Sequence, residues 1–355
     1  MIYNLNLLLS IFSLISVLTS IFLVPIVLKI GSKYALIDKS DSRKILLEKK
    51  VRIGGVSIFL STIICFCLFI IFNNGQYPID PRIYIIIFCS TIYFILGLLD
   101  DIFTLSPYSR LFVEFFVAFY LFSKGVAIEV IDINIPNLID SHLFLPKILS
   151  LIVTSIWIVG ITNAINWLDG LDGLACGLSI LFFTSILSVS FQSGTYIISI
   201  LLVILIGSCV GFYSFNKYPS SIIMGDSGSY YLGFNLSVIS LYTFLNNDYL
   251  LNTNLAFVSL IIIFCIPIVD MLQVILKRII TGKLPFYPDR SHFHYQLVDS
   301  GFNESDTVFI LYFITHFINT IVLYCFGFKD FIFIMFLPYL FFLFFLSTRN
   351  KNLEP

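Results

Sequence analysis

The sequence predicts an all-α polytopic membrane protein of about 10–11 transmembrane helices, N-terminus outside and active face cytoplasmic. Three observations predict it. Mean hydropathy is +0.99, and 58% of the 355 residues are hydrophobic against 12% charged, with 39 Phe, which is a membrane composition. Apolar runs recur from end to end at the roughly 20 helical residues that a hydrocarbon core of about 30 Å requires. Polar clusters appear only between certain of these runs, all on one side of the resulting topology.

The runs, in order, are Leu5 to Lys29, Ile53 to Phe72, Ile83 to Leu99, Leu111 to Phe122, Leu145 to Ile161, Leu174 to Phe191, Tyr196 to Tyr213, Tyr231 to Phe244, Leu255 to Leu276, Val308 to Phe326 and Phe331 to Leu346. Leu111 to Phe122 and Tyr231 to Phe244 are short for a span. The first run has no basic flank before it and no small-residue cleavage site after it, so it reads as a retained helix and not as a signal peptide. The seven Cys show no framework spacing and lie within apolar runs, as packing residues do. The whole chain, 1–355, reads as one integral-membrane domain, with active-site loops at 31–52, 100–110, 164–176, 216–228 and 277–306.

Orientation follows from charge, because Lys and Arg gather in cytoplasmic loops. With eleven spans and the N-terminus outside, sixteen of the twenty Lys and Arg fall on the inner side; Arg82, Lys124, Lys147 and Lys329 fall outside. The same topology gathers every polar cluster on the inner side. The longest outer loop, EVIDINIPNLIDSHLF, alternates apolar and polar residues as a short hairpin or interfacial segment would.

Asp100 and Asp101 close the third run side by side in GLLDDIF. An acid costs roughly 2.5–3.5 kcal/mol at mid-membrane and less at the boundary, so a concentration of Asp100, Asp101, Asp169, Asp172 and Asp226, with few basic residues adjacent in sequence, calls for a cation. Carboxylate and amide oxygens suit Mg²⁺ or Mn²⁺ and not zinc. In NAINWLDGLDGLACG a polar residue recurs every third position, at Asn163, Asn166, Asp169 and Asp172. On an unbroken helix the first and last of these end on opposite faces, so the row requires a break, which Gly170 and Gly173 supply. In IIMGDSGSYYLG, Asp226 lies between Gly225 and Gly228 ahead of another span, with Ser227 beside it, a context in which backbone N–H groups at a helix start can receive phosphate. KLPFYPDRSHFHYQL gathers Asp289, Arg290, His292 and His294, groups able to grip phosphate or sugar oxygens. The basic stretch from Lys33 to Arg52 either fixes topology and meets anionic lipid or touches substrate directly.

No G-x-x-x-x-G-K-S/T and no G-x-G-x-x-G opening a strand–helix unit occurs, which argues against nucleotide-driven pumping and Rossmann chemistry. A secondary transporter would place its charges near the midplane and show related halves; these acids end helices on one side and no internal repeat is visible. A scaffold that only binds lipid has no need of so many carboxylates.

GLLDDIFTLSPYSRL, NAINWLDGLDGLACG, SIIMGDSGSYYLGF and PFYPDRSHFHYQL, with DSRKILLEKKVRIGGVSIF before them, resemble in order and spacing the polyprenyl-phosphate N-acetylhexosamine-1-phosphate transferases, from about Asp38 to Gln296. The resemblance implies transfer of a sugar 1-phosphate from a UDP-sugar to a polyprenyl phosphate, giving UMP, with Mg²⁺ or Mn²⁺, in the bacterial cytoplasmic membrane. It implies partners of UDP-sugar, polyprenyl phosphate and membrane lipid, with no nucleic acid, and leaves a homodimer open. It places Asp100 and Asp101 in catalysis, one of them deprotonating or orienting the lipid phosphate. Asp226, with Asn166, would hold the metal; Asp169 and Asp172 would line the nucleotide or catalytic region; Arg290, His292 and His294 would recognise sugar and pyrophosphate; Asn163, Gly225 and Ser227 would contact substrate. The loop reads His-Phe-His-Tyr where the UDP-GlcNAc branch commonly has His-x-His-His, and Thr104 replaces the Lys of the muramyl-pentapeptide branch. The chain thus looks nearer the N-acetylglucosamine-type enzymes that initiate O-antigen, teichoic acid and capsule.

Overall fold

The computed structural model describes residues 2–36, 50–73, 75–135, 139–245, 256–286, 290–325 and 327. The expected span Phe331 to Leu346, Asp289 and most of the basic stretch before Lys50 lie outside the described residues. Among the described residues the helices are α1 (Ile2–Lys33), α2 (Gly55–Asn73), α3 (Pro81–Phe103), α4 (Pro107–Ser123), α5 (Lys147–Trp167), α6 (Leu174–Gln192), α7 (Tyr196–Asn216), α8 (Gly225–Leu245), α9 (Ala256–Ile263), α10 (Cys265–Ile280), α11 (Phe293–Asp299) and α12 (Glu304–Cys325). A two-stranded hairpin, β1 (Val130–Ile135) and β2 (Ile139–Phe144), pairs antiparallel with Val130 opposite Phe144 and Ile135 opposite Ile139. It occupies the loop whose alternation suggested it. Its base is tied to α5, where Ser150 Oγ donates to Ile128 O at 2.7 Å and the Ile128 N–H to Thr154 Oγ1 at 2.9 Å.

The all-α polytopic expectation agrees with the structure: seven of the helices are long and apolar enough to cross a membrane, and a bent pair makes an eighth. The two runs short in sequence are α4, of 17 residues, and α8, of 21. Their helices extend into polar neighbours, beginning at Pro107 and Gly225, which hydropathy alone could not include. The run from Leu255 to Leu276, expected as one span, is two helices, α9 and α10, meeting at 73° around Phe264. Pro267 lies in the first turn of α10, where a missing N–H does no harm, whereas inside a continuous helix it would remove a hydrogen bond.

Local chemistry sets the ends of α3 and α4. Asp80 caps α3, accepting the Arg82 N–H at 2.8 Å with Pro81 next, and Ser106 caps α4 ahead of Pro107. Thr104, at φ 54°, stops α3 in the left-handed conformation and turns the chain back.

Helix α8 is the central post, packed against α2, α3, α5, α6 and α9. Nearly every described side chain on it is buried, so it need not be as lipophilic as a lipid-facing helix. Its polar groups are matched by neighbours: Asn235 Nδ2 donates to Ser90 Oγ at 2.7 Å, and Trp157 Nε1 to Ser237 O at 3.1 Å. On the other flank α1, α2 and α7 pack through small residues joined by hydrogen bonds, with Ser20 Oγ donating to Ser208 O at 2.8 Å and Ser61 Oγ to Ser16 O at 2.9 Å. The crossing of α3 and α8 is close because Gly97 lacks a side chain; a Cβ there would lie 2.2 Å from the Asp226 carbonyl oxygen and 2.7 Å from Ser227 Cα.

This crossing yields the first prediction. Gly97→Ala must push backbone apart, at a cost of about 1–3 kcal/mol or more. Thermal unfolding in detergent should show a lowered midpoint relative to wild type; an unchanged midpoint would contradict the close contact.

Candidate active site

One end of the bundle collects the ends of α3, α5, α7 and α10 and the starts of α2, α4, α6, α8 and α12. Its base is an extended segment. Val51 forms a parallel bridge with Ile222, the Ile223 N–H donates to Val51 O at 2.9 Å, and the Gly54 and Gly55 N–H groups donate to Ile223 O and Met224 O at 3.0 and 2.8 Å. Side chains alternate along such a segment. Val51 and Ile53 enter the core, and Lys50 and Arg52 face the site.

Asp101 is fully buried and seated on the start of α8: the Asp226 N–H donates to its Oδ1 at 2.8 Å and the Ser227 N–H to its Oδ2 at 2.9 Å. Gly225, at φ 74°, lets the backbone make this approach; a Cβ there would lie 1.9 Å from Arg52 O and 2.8 Å from Asp101 Oδ2. The N–H groups expected to receive a substrate phosphate are therefore held by the chain's own carboxylate, which the helix start favours as it would any anion. Ser227 Oγ is buried and has no hydrogen-bond partner among the described residues.

Arg52 links two helices, its Nε 3.1 Å from Asp101 Oδ1 and its terminal nitrogen 2.6 Å from Asp226 Oδ2. Asn166 Nδ2 donates to Asp226 Oδ1 at 2.7 Å and to Ser229 Oγ at 2.8 Å. Asp100 accepts the Leu105 N–H at 2.6 Å on one oxygen and pairs with Arg110 on the other. Asp172 pairs with Lys50 at 2.9 Å and accepts from Ser220 Oγ at 2.7 Å and the Ser220 N–H at 2.9 Å. Burial opposes its ionisation, but the hydrogen bonds from Ser220 and Lys50 outweigh burial and hold Asp172 below the usual carboxylate range.

Asp169 differs from the others, since no hydrogen bond or ion pair reaches its carboxylate among the described residues. Removal from water, then the charges of Asp226 and Asp101, push it up to about 8. The helix break is where the glycines place it: α5 ends at Trp167, the chain turns through 168–173, and α6 starts at Leu174. The turn delivers Asp169 and Asp172 to the site from a row that a straight helix would have wound away from it.

Expectation and structure differ at several residues. The sequence shows few basic residues adjacent to these acids and calls for a cation; the fold brings Lys50 and Arg52 to them from far away in the chain and Arg110 from ten residues on. These three cations pair with Asp100, Asp101, Asp172 and Asp226 and leave Asp169 without one among the described residues. Asn163 does not join this group, for its Nδ2 donates at 2.5 Å to Glu114 Oε2. Arg290 lies at the surface, paired with Asp299 at 3.2 Å and stacked over Tyr295 at 4.9 Å.

His292 and His294 stack face to face at 5.5 Å, and Trp167 meets His292 edge to face at 5.8 Å and carries the Arg278 guanidinium over its ring at 4.9 Å. His292 Nδ1 is 2.7 Å from Asp270 Oδ2, and the Phe293 N–H donates to Asp270 Oδ1 at 2.7 Å. Burial, then the neighbouring His292, push His294 down to about 4, so it is a neutral imidazole near pH 7. Both of its ring nitrogens are buried without partners among the described residues, and Gly170 lies against it.

Sequence reasoning missed Glu114 and Asp270. Each is an acid inside an apolar run, YSRLFVEFFVAFY and IPIVDMLQV, which is signal enough to mark it as buried and partnered. Glu114 is wholly buried with Oε1 unpartnered, one helical turn beyond Arg110.

Metal fit is a matter of donor chemistry. Among the described residues no three Asp, Glu, His or Cys side chains enclose an ion position. Mg²⁺ is ordinarily held by one or two carboxylates together with substrate phosphates and water, so the carboxylates of Asp226 and Asp169 are donors of the fitting kind, whereas Asn166 turns its Nδ2 and not its oxygen toward Asp226.

Comparison with known proteins places the chain in a family. The glycosyl transferase family 4 pattern matches residues 83–244. A Bacillus subtilis (strain 168) protein named "Probable undecaprenyl-phosphate N-acetylglucosaminyl 1-phosphate transferase" is 33% identical over 301 residues, covering 85% of this chain and 80% of its own. The chain belongs to glycosyl transferase family 4. A Yersinia pestis protein named undecaprenyl-phosphate alpha-N-acetylglucosaminyl 1-phosphate transferase is 30% identical, covering 78% of this chain and 73% of its own. A phospho-N-acetylmuramoyl-pentapeptide-transferase of Staphylococcus saprophyticus is 28% identical, covering 73% and 79%. The matched stretch of this family 4 chain runs from α3 to α8 and so contains Asp100, Asp101, Asn166, Asp169, Asp172 and Asp226, whereas Arg52 and the histidine column lie outside it.

Asp169 gives a pH prediction. With no divalent cation present, the folded protein keeps on Asp169, up to about pH 8, a proton that the unfolded chain sheds near pH 4. Stability therefore falls as pH rises through that window. Thermal midpoints in EDTA should decline from pH 5 to pH 8, and Asp169→Asn should remove much of the decline; equal slopes in both proteins would contradict the assignment.

Proposed function

We propose that this family 4 protein transfers an N-acetylhexosamine 1-phosphate, GlcNAc 1-phosphate first among them, from a UDP-sugar to undecaprenyl phosphate, releasing UMP and initiating a cell-surface polysaccharide. The observation that carries the proposal is the meeting of Asp100 and Asp101 of α3, Asn166 of α5, Asp169 and Asp172 of the following turn and Asp226 of α8 at one end of a bundle of membrane-length helices. The names of the B. subtilis and Y. pestis relatives supply the substrate classes. The cytoplasmic side of a bacterial inner membrane is the proposed location, supported by the sixteen of twenty basic residues that this orientation puts inside.

A lipid-borne acceptor requires an apolar surface beside the charged site. Helix α4 offers one, with Phe112 74% and Phe116 64% exposed on the helix that also carries Arg110. We assign Arg110, aimed by Asp100, to the acceptor phosphate, and the surface of α4 to its hydrocarbon chain. An acceptor phosphate oxygen attacks the sugar-bearing β-phosphorus, the bond to the UMP oxygen breaks, and UMP leaves with the bonding electrons.

Asp100 and Asp101 each have both oxygens engaged, so the deprotonating role first considered for them passes to Asp169, the unpaired carboxylate. Asp101 positions α8 and Arg52. Asp226 and Asn166 would hold Mg²⁺ or Mn²⁺, a proposal supported by the carboxylate oxygens of Asp226 and of Asp169, which has no cation partner among the described residues. Such an ion, when bound, would supply neutralisation of the charge that grows on the departing UMP. Lys50 and Asp172 border the nucleotide side, and neutral His294 faces the turn at Gly170.

Purified protein incubated with labelled UDP-GlcNAc, undecaprenyl phosphate and Mg²⁺ should carry label into the organic phase, and a panel with UDP-GalNAc and 6-deoxy sugars should rank GlcNAc first. Asp169→Asn and Asp226→Asn should each lower the rate by about 10²-fold or more, with Asp169→Asn retaining UDP-sugar binding. No lipid-borne label from any UDP-N-acetylhexosamine would overturn the proposal.

A further inference from the structure

Arg52 stands at the most crowded point of the site. Its two engaged nitrogens reach carboxylates from different helices, Asp101 of α3 at 3.1 Å and Asp226 of α8 at 2.6 Å. Its backbone is fixed: the Arg52 N–H donates to Leu36 O at 3.1 Å, and the bridge at Val51 and the bonds at Gly54 and Gly55 clamp the segment on both sides. Its side chain is 33% exposed, whereas that of Asp101 is fully buried. A rigid anchor with a solvent-reaching head can redirect its guanidinium without moving the fold.

The two ion pairs are not equally exchangeable. Asp101 keeps two backbone N–H donors if the guanidinium leaves. Asp226 would keep Asn166 on Oδ1 and lose Arg52, the cation paired with its Oδ2, so this oxygen is the one that another cation could take up. Two cations on one carboxylate oxygen repel each other, and Arg52 can follow the negative charge elsewhere. The planar, weakly hydrated guanidinium matches the oxygens of a phosphate, which a diphosphate bound over this site would present.

We propose that Arg52 is an exchangeable counter-ion: it neutralises Asp101 and Asp226 in the empty site and turns to the diphosphate of the sugar nucleotide when a divalent cation takes its place on Asp226. The proposal rests on the sugar-nucleotide reading given above. It makes Arg52 both a competitor of the metal and a ligand of the substrate, which a merely structural ion pair is not.

The test is Mn²⁺ binding to the full chain in detergent micelles, followed by electron paramagnetic resonance without sugar nucleotide. Removing the competitor in Arg52→Gln should tighten Mn²⁺ binding by about tenfold, within the usual range of coupling between two bound species. At saturating Mn²⁺ the same variant should bind UDP-GlcNAc about tenfold more weakly. Should Arg52→Gln fail to fold, Arg52→Lys decides the matter, since an ammonium cannot span both carboxylates; its Mn²⁺ affinity should rise by a smaller factor. Unchanged or weaker Mn²⁺ binding in the variant that folds, undetectable binding in both wild type and variant, or undiminished UDP-GlcNAc binding would each overturn the proposal. Tighter Mn²⁺ binding in a protein whose wild type transfers no sugar phosphate would instead overturn the functional reading and leave the exchange at Asp226 standing.

Discussion

A single buried carboxylate, Asp101, organises this end of the molecule. Taking an unpaired carboxylate out of water costs many kcal/mol, so its position must be matched by donors. The first N–H groups of α8 supply two of them, and Arg52 supplies the third. In return the carboxylate satisfies N–H groups that no helix can satisfy for itself, and its charge sits against the positive end of the peptide dipoles. One side chain thereby joins the end of α3, the start of α8 and the extended segment through Val51.

The rest of the site depends on that junction. Because α8 starts where Asp101 holds it, Asp226 points toward Asn166 and Arg52, and Gly97 and Gly225 are the positions at which a side chain would force the elements apart. The surrounding acids are balanced to differing degrees. Asp100, Asp101, Asp172 and Asp226 have basic partners, while Asp169 is left with negative neighbours, and the local field on it is what raises its proton affinity. This polar end lies next to the aromatic surface of α4, the apolar neighbour that the proposed lipid acceptor requires.

Much of this was legible in the chain. Ten of the eleven apolar runs coincide with helices, because spanning length and hydropathy are local properties. The break after Trp167 was legible from the conflict between a three-residue polar spacing and the helical period, with glycines at hand to resolve it. The hairpin was legible from alternation. Other features were not. The bend at Phe264 has only Pro267 as its signal, and a proline near a helix start is as compatible with a straight entry as with a kink. Glu114 and Asp270 were overlooked as single acids in apolar surroundings, although their isolation was the signal.

By itself the sequence determined the membrane class, the place of most long helices and which acids belong to the polar end, since each follows from residues near one another in the chain. Tertiary structure alone decided how those acids are used. Lys50 and Asp172 are 122 residues apart, and Arg52 and Asp226 are 174 apart, so no local pattern could pair them. Which carboxylate is compensated and which is left with a deficit is a sum of charges over the converging helix ends, and that sum exists only once they have converged.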